Sequence, residues 1–225
     1  MEHNRVIYTV PYDSEVEYLE VGNTANSYID TGILPSNNIS IVAQIQVLDN
    51  YNGFLFEGGN SITNVELGFL LKGDAGEVSF RYGNINLLST PRITFPFEPF
   101  IISSLDNPRT LVVNGTNLSA TSNTFSSQNS IYLFGKHRDN LSSGDAENCR
   151  VYYFKMYNSG TLVRDFIPVR VGSIGYMYDK VSGKLFSNQG TGNFILGSDI
   201  ANPVPKIRRV FRFGNKRFVM PVPYV

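Results

Sequence analysis

Hydrophobic and polar positions alternate most cleanly over residues 39–47, where Ile39, Ile41, Ala43, Ile45 and Val47 fall on one face and Ser40, Gln44 and Gln46 on the other. A period of two held this long predicts a strand with one dry and one wetter side. Similar runs recur at 53–57, 66–72, 77–83, 85–89, 100–105, 131–136 and 150–157. Within 109–120, Asn114-Gly115 separates two apolar runs, a hairpin signal because both central turn positions favour φ > 0. The segment 15–20 is less clean: Val16, Tyr18 and Glu20 share one face, Glu17, Leu19 and Val21 the other. No capped segment carries apolar residues at i, i+3, i+4 and i+7. Many short strands separated by turn clusters predict an all-β, two-sheet antiparallel sandwich.

Composition agrees with this pattern. Of 225 residues, 42% are hydrophobic and 17% charged, and 20 are glycine. That is enough apolar material for a core and enough turn residues to join short strands. The length suits one large sandwich with a short appendage. The arrangement expected is an extended N-terminal arm over 1–14, a sandwich over 15–198 and a basic C-terminal segment over 199–225.

The net charge of zero conceals an asymmetry. Lys206, Arg208, Arg209, Arg212, Lys216 and Arg217 face only Asp199 in the last segment, leaving 13 bases against 18 acids before it. Two prolines in 202–206 predict a linker, and 208–224 reads as a hairpin turning at Gly214-Asn215. Phe211, Phe213, Phe218 and Met220 would be its apolar residues. A lone hairpin is marginal in water, so it must pack on the body or on another molecule. Arg208, Arg209, Phe211, Arg212, Phe213, Lys216, Arg217 and Phe218 are therefore candidate partner-binding residues. Interleaved Arg and Phe could also meet phosphates and bases, but one hairpin is a thin basis for nucleic acid, and a protein surface is the favoured partner.

Single residues narrow the chemistry. The lone Cys149 excludes an internal disulfide and multi-cysteine metal sites, and its place at a strand start predicts a partly buried structural thiol. His137, Asp139 and Ser142 could form a triad on paper, yet no G-x-S-x-G elbow accompanies them. Tyr51, Tyr82, Tyr132 and Tyr152 are candidate rings for stacking on sugars. Residues 1–15 are charged and polar where the apolar core of a signal peptide would stand. No run of about 18 apolar residues predicts a membrane span.

Two blocks carry a resemblance. Glu17-Tyr18-Leu19-Glu20 with Tyr28-Ile29-Asp30-Thr31-Gly32 is similar to a family opening of the form EYLESTGTQYIDTG. The second block comprises 153–157, 160–169 and 175–186, closing on Gly190-Thr191-Gly192-Asn193-Phe194. Together they resemble the concanavalin A-like/laminin G-like jelly-roll domains of phage structural proteins and gut-bacterial surface proteins. The resemblance brackets 15–198; residues 50–130 do not align, and 199–225 lie outside it. In the shared motifs Asn158–Gly160 reads as a turn, Arg164-Asp165 as an ion pair, and Asp179-Lys180 as the lead into a Ser182-Gly183 hairpin.

The resemblance implies a non-enzymatic protein of a phage particle: tail, fibre or capsid-associated. It would be made in the host cytoplasm, located in the virion, and held by its termini to other virion proteins or further copies of itself. Host surface glycan is a possible ligand, and a carbohydrate-binding module of a bacterial surface protein is the alternative. Related sandwiches also include glycosidases, whose chemistry needs two carboxylates about 5–5.5 Å apart in the retaining case. Glu57, Glu66 and Glu77 stand alone in the sequence and fit no such strand motif. Laminin G-like relatives suggest calcium at the rim, for which Asp139, Asn140, Asp145 and Asn148 are weak candidates. No other cofactor is expected.

Overall fold

A computed structural model describes residues 4–8, 10–22, 26–48, 52–61, 64–72, 77–83, 85–88, 98–120, 124–139, 141–144, 148–201, 206–213 and 216–220. Among the described residues every helix or strand is a strand, and all pairings are antiparallel. The fold class expected from the sequence is the one found: an all-β, two-sheet antiparallel jelly-roll sandwich. The chain passes repeatedly between sheets. Ile39–Val47 sits in one sheet, Asn52–Ser61 in the other, Phe100–Ser103 back in the first, and Tyr132–Leu133 again in the second.

The larger, 12-stranded sheet runs Thr116–Ser119, Thr110–Val113, Phe100–Ser103, Ile39–Val47, Cys149–Asn158, Thr161–Val171, Ile174–Asp179 and Lys184–Phe186, with four short strands added beside this path. The 6-stranded sheet runs Ile29–Asp30, Tyr132–Leu133, Asn52–Ser61, Asn64–Lys72, Glu77–Tyr82 and Ile85–Leu88. Their facing sides form one core. Phe56 of the smaller sheet meets Phe154 of the larger edge to face, with ring centroids 5.6 Å apart. Ile39, Ile41, Ala43, Ile45 and Val47 all lie in this core, as their alternation requires.

Local differences have physical causes. The 15–20 segment forms two strands, Ser14–Val16 and Leu19–Val21. The break between them resets the alternation, so Val16, Leu19 and Val21 are all buried. In Cys149–Asn158 the register shifts between Val151 and Tyr153. That bulge puts Val151 and Phe154, three apart, in the same core. Cys149 is fully buried rather than partly so.

Arg164 and Asp165 do not pair with each other, because consecutive strand residues point to opposite faces. Arg164 lies 3.7 Å from Asp179, and Asp165 lies 3.6 Å from Lys155. The expected Ser182-Gly183 hairpin forms, closed by the Asp179↔Lys184 pair. Asn114 and Gly115 both adopt positive φ, at 46° and 79°, between the paired Val113 and Thr116.

The termini meet. Asn4–Tyr8 pairs with Lys206–Phe213, which pairs in turn with Lys216–Met220, giving a 3-stranded sheet. Among the described residues none of these strands pairs with a strand of the sandwich. Asp199–Ala201 instead joins the larger sheet beside Ser14–Val16. The expected turn residues Gly214 and Asn215 lie outside the described residues.

Candidate functional site

Three places hold side chains that could act on another molecule. The first is the outer face of the larger sheet. Core-facing residues of Ile39–Val47, Cys149–Asn158 and Thr161–Val171 alternate with residues on the far side, and these line an open groove of about 440 Å³. Tyr153, Lys155 and Tyr157 stand along one strand, with Asp165 and Ile167 on one flank and Val42 on the other. Lys155 Nζ lies 5.8 Å from the Tyr153 ring centre and 3.6 Å from Asp165 Oδ1. Two rings beside paired charges offer a stacking surface with hydrogen-bonding groups at its edge.

The second place is the outer face of the smaller sheet, under the Gly135–Arg138/Leu141–Gly144 hairpin. Arg138 Nε and Nη2 both donate to the fully buried Glu57 carboxylate, the latter at 2.7 Å. The Arg138 and Arg81 guanidiniums lie 5.3 and 5.0 Å from the Phe54 ring centre. Glu66, also buried, accepts hydrogen bonds from the backbone and side chain of Asn60 at 2.8 and 3.0 Å. Burial is the main cause of its raised pKa, with the Asn60 hydrogen bonds opposing it. The Glu77 side chain lies outside the described residues.

The third place is the terminal sheet. Its register sets Arg5 opposite Arg209 and Arg212 opposite Arg217. All eight candidate partner-binding residues therefore lie on two adjacent strands.

The remaining candidates have other uses. His137 Nδ1 donates to the Ser130 carbonyl at 2.9 Å, and Ser130 Oγ donates to Asp30 at 2.6 Å. Asp139 accepts from Asn129 Nδ2 at 2.7 Å. Ser142 pairs with His137 across the hairpin, and its hydroxyl serves Tyr132. His137 Nδ1 thus meets a carbonyl where a triad would need Asp139.

Tyr132 is stacked between Tyr28 and His137, at centroid distances of 4.7 and 4.0 Å. Tyr82 is buried and donates to the Asn37 carbonyl at 2.8 Å. Tyr152 donates to Gln46 Oε1 at 2.7 Å. Tyr51 lies outside the described residues.

Of the calcium candidates, Asp139 follows the Gly135–Arg138 strand, and Asn148 adopts φ 47° just before Cys149–Asn158. Asn140 and Asp145 lie outside the described residues. Among the described residues no three His, Cys, Asp or Glu side chains group as metal ligands.

Sequence reasoning missed Tyr153, Tyr157, Arg81 and Arg138. The tyrosines were signalled by alternation against Phe154 and Met156, once the bulge is allowed for. The arginines carry no local signal, because their site joins residues from three separate segments.

No protein-family model matches the chain, and no curated protein matches it. Among solved structures it is similar to the native heptameric SAP-like pentraxin from Limulus polyphemus, with a TM-score of 0.45, 10% identity, and 84% of this chain and 96% of that chain covered.

Proposed function

We propose that this is a non-enzymatic structural or adhesion protein of a phage particle, tail, fibre or capsid-associated, that displays its sandwich and attaches through its joined termini. The phage assignment rests on the sequence resemblance. The observation that carries attachment is the terminal sheet, in which two pairs of arginines stand directly opposite each other. Like charges at opposed positions destabilise an isolated sheet. An acidic surface laid against either pair removes its repulsion and favours assembly.

Other virion proteins are the proposed partners, and further copies of the chain the alternative. The test is recovery of the full-length chain with particles purified at rising salt. Co-purification that weakens steeply as salt rises supports a charged attachment. No recovery at low salt overturns the reading.

A second reading, a carbohydrate-binding module of a bacterial surface protein, is favoured by the Tyr153/Tyr157 groove. Its test is a glycan array with the wild type and the Tyr153→Ala and Tyr157→Ala variants. Competable binding lost in both variants supports it; binding retained in both, or none at all, removes it.

A further inference from the structure

Strand register on the smaller sheet aligns Glu57, Gly68 and Arg81 across three neighbouring strands. Phe80 and Tyr82 enter the core on either side of Arg81, so this row lies on the opposite face. Gly68 contributes no side chain between the carboxylate and the guanidinium. Arg138 reaches in from the adjoining hairpin and clamps both Glu57 oxygens. Phe54 lies beneath both guanidiniums, 5.0 Å from Arg81 and 5.3 Å from Arg138.

Arg81 differs from Arg138 in one respect: its Nε is buried and meets no hydrogen-bond acceptor. A buried donor left unsatisfied is costly and rare. Burial is the largest influence on its pKa and lowers it; Glu57 opposes this, and Arg138 adds to it. The described residues around this ring thus supply two cations and one carboxylate, and that carboxylate is already engaged. Stacking on Phe54 fixes the Arg81 plane and leaves its edge to donate. Its Nε is buried, but the residue as a whole is partly exposed.

We propose that Arg81, with Arg138 and Phe54, forms a binding notch for a carboxylate group, received by the Arg81 edge as a charge-assisted hydrogen-bonded pair. The carboxylate could be a free ion or part of a uronic-acid sugar. The notch belongs to the sandwich and does not depend on attachment through the termini, so either reading can fail alone.

The test titrates the full-length protein with D-glucuronate, acetate and D-glucose at constant ionic strength. It follows the Arg81 Nε–H NMR resonance and the thermal midpoint. Glucuronate and acetate are expected to shift that resonance and raise the midpoint, and glucose to do neither. Glucuronate binding tighter than acetate identifies a sugar-borne carboxylate; equal binding identifies a site for the bare group.

Arg81→Gln and Arg81→Met should each weaken binding by roughly tenfold or more, the equivalent of one charge-assisted interaction. Both variants also lose the Phe54 contact and the attraction of Glu57, so affinity is compared on protein shown to be folded by its ligand-free melting transition. An unmoved Arg81 resonance in glucuronate and acetate, or wild-type affinity in Arg81→Met, overturns the proposal.

Discussion

Asp179 shows how much one side chain can hold. It is fully buried and accepts hydrogen bonds from the backbone N–H groups of Asp165, Val181 and Ser182 and from the Ser182 hydroxyl, between 2.7 and 3.2 Å. Arg164 stands 3.7 Å away. Asp179→Ala strands these donors and should cost about 3 kcal/mol, read as a lower urea midpoint; a change below about 1 kcal/mol would contradict the role. Ser159 is the opposite case, held at φ 48° without the side-chain chemistry that suits the left-handed region. Ser159→Gly should therefore stabilise by about 1 kcal/mol, measured in the same way.

Glu66 sets a pH dependence. Its folded pKa is raised above the ordinary 4.5, mainly by burial. Its neutral form is then the stabilising one: the contribution is full below the unfolded pKa and lost as pH rises through the folded value. A carboxyl ¹³C titration should place its midpoint above 4.5, and Glu66→Gln should flatten that part of the stability curve. Motif residues such as Asp179 could be flagged from the sequence as a hairpin lead, but their partners could not. The Arg164-Asp165 reading erred because neighbours in sequence are not neighbours across a strand.

Strands with unbroken alternation were legible as elements, and the Asn114-Gly115 turn was legible to the residue. Interruptions were not. The break between Ser14–Val16 and Leu19–Val21, and the bulge beside Tyr153, each reset a period of two that a linear reading carries on. The terminal hairpin could be read from its own residues, but its third strand, Asn4–Tyr8, lies some 200 positions away. Pairing across such a distance has no local signature. Replacing Arg209 by Glu opposite Arg5, and Arg217 by Glu opposite Arg212, turns repulsive pairs into attractive ones. Amide exchange in Lys206–Phe213 should slow by an amount equivalent to about 0.5–1 kcal/mol; unchanged exchange would argue against this register.

At the scale of the whole molecule, alternation, turn residues and composition specify a sandwich because burying one face of each strand is the shared requirement. The surfaces that could meet a ligand or partner are specified less directly. The Tyr153/Tyr157 groove needs three strands in register, and the Arg81 notch needs a glycine opposite a buried carboxylate and an arginine from a separate hairpin. The sheet joining both termini is the proposed attachment element and the sandwich its cargo. The most direct measurement is quantitative mass spectrometry of purified particles carrying the wild-type chain or a full-length variant with Lys206, Arg208, Arg212 and Arg217 all changed to Gln. The variant is expected to fold with an unchanged sandwich melting transition and to fall at least roughly tenfold in particle occupancy. Equal occupancy of the two chains would contradict it.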